Sequence, residues 1–296
     1  MQTDMKNKFI GTGVALITPF NSDGTVDYDS LSKIVLHCIS GGIDYLVVLG
    51  TTGESVVLSK EEKDKVIRHI VEVNNGKLPI VLGVGGNCTA SVIKDYNSYN
   101  LDGVDAILSV SPYYNKPSQK GIYKHYQQLS KSFDLPIILY NVPGRTSSNM
   151  SADTTLKLAN DFDNIIAIKE ASGDMDQIMT IIANKPDDFL VISGDDGLTL
   201  PMILMGANGV ISVIGQAFPE QFSSMVNEGL NGNVKLSNHL HYQLYPLYGP
   251  LYRDGNPAGV KECMQQIGLC SNTLRLPLVN VEQSTKEELI RCIDNL

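Results

Sequence analysis

One lysine in this chain closes an apolar run. Lys169 follows Ile165-Ile166-Ala167-Ile168, a string that reads as a strand buried on both faces. An ammonium carried into such surroundings is desolvated and loses its proton more readily, which makes lysine a nucleophile near neutral pH. A neutral amine attacks a ketone to give a Schiff base. The protonated imine is then an electron sink for carbanion chemistry at the neighbouring carbon. Strand alternation predicts that Ile165, Ala167 and Lys169 share one face. The plainer reading pairs Lys169 with Glu170 or extends it to water at the strand mouth.

Other runs end in groups able to assist. Tyr140 closes the run from Pro136, and a phenol can shuttle a proton between amine, carbinolamine and enamine. Thr51 and Tyr114 extend it into a hydroxyl relay. A single tyrosine is more often a packing residue, but the adjacent pair Tyr113-Tyr114 in a polar loop calls for a partner surface. Arg145, just after a Pro-Gly turn, suits a carboxylate, which a guanidinium grips through two parallel bonds. Its bland alternative is an ordinary surface arginine.

Weaker signals carry less. His37, His69, His125, His239 and His241 are scattered. Asp195-Asp196 lacks further oxygen ligands for a divalent cation, so no metal is expected. Gly83-Val84-Gly85-Gly86 has the wrong spacing for a dinucleotide fingerprint, and there is no Walker-type GK[ST], so no cofactor is expected. Cys38, Cys88, Cys263, Cys270 and Cys292 are odd in number and never spaced CxxC, against a zinc ribbon or a disulfide framework.

The elements that must hold these groups recur as a rhythm. Apolar runs start at Gly13, Tyr45, Pro79, Ala106, Pro136, Ile165, Phe189 and Gly209. Helical patterns lie between them, at Asp29–Ser40, from Ser59 with a Ser59/Glu62 capping box, and at Asp153–Ala159, Asp176–Ala183 and Pro219–Leu230. Eight βα units over about 230 residues are the arithmetic of a (β/α)8 barrel, whose site lies at the C-terminal strand ends. A doubly wound sheet is the rival architecture. Residues 1–231 are expected to form the barrel. Residues 232–296 are expected to form a small helical appendage packed on it, with helices at Asn233–Tyr248, Ala258–Gly268 and Ser284–Ile293.

Composition bounds the partners. The chain has 296 residues, 43% hydrophobic and 19% charged, with a net charge of −9. That suits a globular chain and disfavours nucleic-acid and membrane binding. The first residues lack the apolar stretch of a signal peptide, and a cytoplasmic location is expected.

The strand-end segments together resemble the dihydrodipicolinate synthases, among the class I lyases and aldolases that include N-acetylneuraminate lyase. They are GTTGES at 50–55, SPYYNKP at 111–117, YNVPGRT at 140–146, IKEASGD at 168–174 and SGDD at 193–196. The likeness runs from ALITPF to NPAGVK and LRLPL, nearly the whole chain, and YNVPGRT is its most specific element. Gln216 stands where the family often has asparagine, and Gly259 where proline is common.

The resemblance implies that Lys169 forms an imine with pyruvate. Tyr140, Thr51 and Tyr114 would then relay protons, with Tyr114 crossing a dimer interface into the neighbouring site. It also implies that Thr52 and the Thr51 backbone hold the pyruvate carboxylate, and that Arg145 holds the carboxylate of L-aspartate 4-semialdehyde. Gly194 and Ile211 would line the pocket through their backbones. The implied product is hydroxytetrahydrodipicolinate, on the branch to diaminopimelate and lysine, and the implied assembly is a homotetramer, a dimer of dimers. Two other readings stand beside it. One is another pyruvate-dependent aldolase, such as a sugar-acid lyase, which Arg145 disfavours. The other is a non-catalytic 2-oxo acid sensor, which has no need of a proton relay. In inhibited relatives lysine binds at the dimer interface. Here Ser91, Lys60 and Lys63 occupy the matching positions beside Asn87 and Tyr113, so weak or absent inhibition by lysine is expected.

Overall fold

The computed structural model describes residues 7–296. Eight parallel strands close into a barrel in chain order. They are β1 (Gly11–Ala15), β2 (Tyr45–Val48), β3 (Ile80–Gly83), β4 (Ala106–Val110), β5 (Ile137–Asn141), β6 (Ile165–Glu170), β7 (Leu190–Ser193) and β8 (Gly209–Ser212). The doubly wound alternative is thereby excluded.

The near-continuous apolar runs have a simple cause, since each strand buries both faces. Ala15, Val47, Val81, Leu108, Ile138 and Ile192 fill the barrel interior. Val14, Leu46, Leu82, Ile107 and Leu139 face the surrounding helices. Near the N-terminal end, Phe9 meets Tyr45 edge-on at 5.6 Å within that interior.

The outer ring comprises α1 (Tyr28–Ser40), α2 (Lys60–Asn74), α3 (Thr89–Tyr96), α4 (Gln119–Ser132), α5 (Ala152–Asp161), α6 (Met175–Asn184), α7 (Thr199–Leu204) and α8 (Pro219–Leu230). The Ser59/Glu62 capping box forms, satisfying free N–H groups at the start of α2. α9 (Val234–Arg253), α10 (Ala258–Gln266) and α11 (Gln283–Ile293) follow. α9 runs five residues beyond the sequence expectation, past Pro246 and Pro250. Interior prolines disfavour a helix locally. Burial of Leu244, Leu247 and Leu251 holds this one together.

One expectation of strand parity is corrected. Ile137 pairs with Ile165, but Ile138 pairs with Ala167, so Ile166 is an extra residue on β6. This bulge turns Ile165 outward to the helices and leaves Ala167 in the interior. Lys169 therefore shares its face with Ala167 and not with Ile165.

The two departures from the family pattern fit locally. Gln216 is buried, accepts from the Ile17 N–H and donates to the Ala15 and Val213 carbonyls. A Cβ on Gly259 would lie 2.0 Å from the Leu251 carbonyl oxygen, so glycine lets α10 pass close to α9.

Candidate active site

The strands deliver their C-terminal residues to one rim. Lys169 and Tyr140 are direct register partners on β6 and β5. The lysine Nζ lies 4.5 Å from the tyrosine ring centroid, and Lys169 is 5% exposed. Burial pulls its pKa down to about 8; the Arg145 charge adds to this and Asp196 opposes it. The magnitude matters. At pH 7 about a tenth of such an amine is neutral, against about one in 2,500 for an ordinary lysine.

Glu170 is not its partner. It points to the opposite face, where its carboxylate accepts from Asn141 Nδ2 at 3.1 Å, the Ser172 N–H at 2.7 Å and Gln177 Nε2 at 3.0 Å. Burial raises the Glu170 pKa while these donors lower it.

Thr51 opens a 3-10 turn, Thr51–Gly53, directly after β2. Burial raises the Tyr140 pKa, and the Arg145 charge and a hydrogen bond with Thr51 lower it. Thr52 is buried, and its Oγ1 accepts from Asn256 Nδ2 at 2.9 Å. Arg145 rides on a single helical turn, Pro143–Thr146, and donates to the Asn256 carbonyl at 3.3 Å. At Gly194 a Cβ would stand 2.6 Å from the Ala171 Cβ and 3.1 Å from Lys169 Cε. A side chain there would crowd the lysine.

Thr51, Thr52, Tyr140, Arg145, Lys169 and Gly194 line one cavity of about 560 Å³. Two expected residues stand apart. Ile211 packs in the barrel interior, and Val213, two residues on, lines the cavity instead. Tyr114 is 87% exposed on the loop after β4, in the left-handed region at φ 70°. Its neighbour Tyr113 lines an adjoining cavity of about 300 Å³, together with Ser55, Val56, Lys63 and Asp95. Lys63 thus reaches that space while Lys60 does not line it.

Sequence reasoning missed three residues of the site. Asp196, considered only as a cation ligand, is buried and accepts from Ser212 Oγ, the Val213 and Ile214 N–H groups and the Tyr252 hydroxyl. Burial raises its pKa and the bonds from Ser212, Tyr252 and Ile214 lower it. Asp196 is not itself in the cavity lining, but Tyr252, which donates to it, lines the cavity, as does Asn256. Both come from the helical C-terminal region, whose sequence gave no sign of facing the strand ends.

A closed barrel presenting a buried amine of lowered pKa at a strand end has the geometry seen in enzymes that activate a carbonyl substrate as a lysine imine. The model of the Dihydrodipicolinate synthetase family matches residues 8–296, and the chain belongs to that family. It is 54% identical to the 4-hydroxy-tetrahydrodipicolinate synthase of Flavobacterium psychrophilum, over 95% of this chain and 96% of that one. It is 52% identical to the enzyme of the same name from Phocaeicola vulgatus, over 100% and 98%. Among solved structures, the chloride-inhibited dihydrodipicolinate synthase of Acinetobacter baumannii complexed with pyruvate superposes with a TM-score of 0.93. That chain is 37% identical, with coverage of 97% of this chain and 98% of that one.

Proposed function

We infer that this chain catalyses the 4-hydroxy-tetrahydrodipicolinate synthase reaction, the condensation of pyruvate with L-aspartate 4-semialdehyde on the branch to diaminopimelate and lysine. The observation that carries the reading is the buried Lys169 amine, held at the cavity with its pKa near about 8 and in register with Tyr140.

The neutral Nζ of Lys169 attacks the pyruvate ketone. Tyr140 protonates the developing alkoxide, and loss of water leaves the iminium. The Tyr140 phenolate then takes a proton from the methyl carbon, giving an enamine whose carbon adds to the semialdehyde carbonyl while Tyr140 returns the proton to the new alkoxide. The semialdehyde amine attacks the iminium carbon, closes the ring and displaces the neutral Lys169 amine. The hydroxyl of Thr51 shares the proton traffic with Tyr140, and Tyr114 of a neighbouring subunit completes the relay. Thr52 and the Thr51 backbone hold the pyruvate carboxylate, Gly194 leaves room for the imine, and Arg145 grips the semialdehyde carboxylate.

The exposure of Tyr114, beside Tyr113 at the adjoining cavity, favours an assembly in which it serves a neighbour. A homotetramer built as a dimer of dimers, working in the cytoplasm, completes the reading. Among the described residues no helix is long and apolar enough to cross a membrane. The direct test follows consumption of pyruvate and semialdehyde by purified protein. Equimolar loss of both supports the assignment. Loss of pyruvate only with a sugar-derived aldehyde refutes it.

A further inference from the structure

The 50–57 loop carries both threonines, yet few of its anchors belong to the barrel. Thr18 Oγ1 donates to the Gly53 carbonyl at 2.7 Å. Thr51 bonds to Tyr140 on β5, and the remaining side-chain grip comes from the C-terminal region. Glu54 links the two 3-10 turns of the loop, in the left-handed region at φ 51°. Its side chain is 1% exposed and that of its partner Lys261, on α10, is 0% exposed, with Nζ and Oε1 2.5 Å apart. Lys261 also donates to the Thr273 carbonyl at 2.8 Å. The other Glu54 oxygen accepts from the Arg275 N–H at 3.1 Å.

The Arg275 guanidinium continues the clamp. It donates to the Val57 carbonyl at 2.9 Å, to the Gly24 carbonyl at 2.8 Å and to both Glu62 oxygens. Lys261 and Arg275 both lie over the Phe20 ring, at 4.2 and 4.5 Å from its centroid. Asn256, just ahead of α10, donates to Thr52 Oγ1. One segment of chain thus holds the loop at Thr52, Glu54 and Val57.

A fully buried ion pair is a poor source of net stability, because desolvation offsets most of its attraction. It does fix geometry, since neither charge can move without leaving the other unpaired. Thr51 and Thr52 lie only three and two residues from Glu54. Because Glu54 is in an unfavourable backbone region, its side-chain bonds add to the backbone bonds it makes with the Thr51 carbonyl and the Val57 N–H in holding that conformation.

We propose that Glu54 and Lys261 are positioning residues, a clamp through which the C-terminal region sets the Thr51 and Thr52 hydroxyls for pyruvate. This rests on the reading that those threonines serve pyruvate. The clamp acts on one substrate. Arg145 is carried by the turn after β5 and meets the C-terminal segment through the Asn256 carbonyl, not through Glu54 or Lys261, so the buried pair bears on semialdehyde recognition only indirectly.

The test is the neutral pair Glu54→Gln/Lys261→Met, which removes both buried charges together, alongside Glu54→Gln alone and Thr51→Val. The double variant should keep a melting temperature near that of the parent, since no unpaired charge remains. Its kcat/KM for pyruvate should fall roughly 10- to 100-fold, as for a misplaced reacting group. Its KM for semialdehyde should stay within about twofold, since carboxylate binding is untouched. The pH profile of imine formation should change as in Thr51→Val, because both lose the bond between Thr51 and Tyr140. Pyruvate parameters restored to the parent values would overturn the proposal. So would equal losses for both substrates. If the double variant does not fold, Glu54→Gln is judged by the same split. The parent enzyme separates the two failures: no imine with pyruvate sinks the functional reading, whereas normal imine formation with parent-like variants sinks only the clamp.

Discussion

Tyr140 and Lys169 stand side by side on adjacent strands, in direct register, with the ammonium 4.5 Å from the centre of the ring. The strand ladder fixes their backbones side by side, so the amine and the phenol proposed as its proton carrier are neighbours before substrate arrives.

That pairing predicts a pH profile. Burial holds Lys169 at about 8, and only its neutral form attacks. The rate of imine formation should rise nearly tenfold per pH unit below that value and flatten above it. Burial moves Tyr140 upward, so its phenol stays protonated across the plateau and any falling limb lies at high pH. Stopped-flow rates across pH measure this. A rise centred near the ordinary lysine value would show that Lys169 is not desolvated in solution.

Arg145 should govern chiefly the second substrate, since its charge is only a minor cause of the lowered Lys169 pKa. Arg145→Ala is expected to leave pyruvate imine formation largely intact and to raise the semialdehyde KM by roughly 10- to 100-fold, the loss of about 1.5–3 kcal/mol from a charged hydrogen bond. Steady-state kinetics with each substrate varied in turn decides it. Normal turnover of semialdehyde by the variant would remove Arg145 from recognition.

Tyr114 carries the claim that sites are shared. Tyr114→Phe should fold and be nearly inactive. Mixed with Lys169→Ala and allowed to exchange subunits, it should regain part of the activity, because a mixed dimer holds one site with both residues intact. With exchange verified by mass, no recovery would mean that Tyr114 serves its own chain.

Inhibition by lysine should be weak. Lys63 lines the cavity beside Tyr113, where its charge opposes a second ammonium. The same cavity contains a carboxylate that the sequence comparison of positions did not single out: Asp95, one helical turn beyond Ser91 on α3. Initial rates against added L-lysine should show half-inhibition only in the millimolar range or above. Stronger inhibition would give Asp95 the role of countercharge.

The barrel was legible because burial on both strand faces writes itself as apolar runs, and helices between them as a 3.6-residue period. Lys169, Tyr140 and Thr51 were legible because each interrupts or closes such a run. Ile165 was misassigned because a bulge inserts one residue at Ile166, and parity counting cannot detect an insertion. Ile211 is buried in the barrel interior, and Val213, two residues on, lines the cavity. Asp196 was weighed only as a cation ligand, whereas in the fold it accepts from Ser212, Val213, Ile214 and Tyr252. Tyr252 and Asn256 were invisible because they approach from more than eighty residues beyond Lys169, through packing that no local pattern encodes. Glu54 and Lys261 were read as parts of motifs, and only folding brings them together.

The central claim is that Lys169 forms a covalent imine with pyruvate. Borohydride reduction in the presence of pyruvate, followed by peptide mass analysis, tests it most directly. The account predicts a stable adduct on the peptide containing Lys169 and loss of activity in step with labelling. An adduct on another lysine, or complete absence of labelling under conditions where the enzyme turns over, would contradict it.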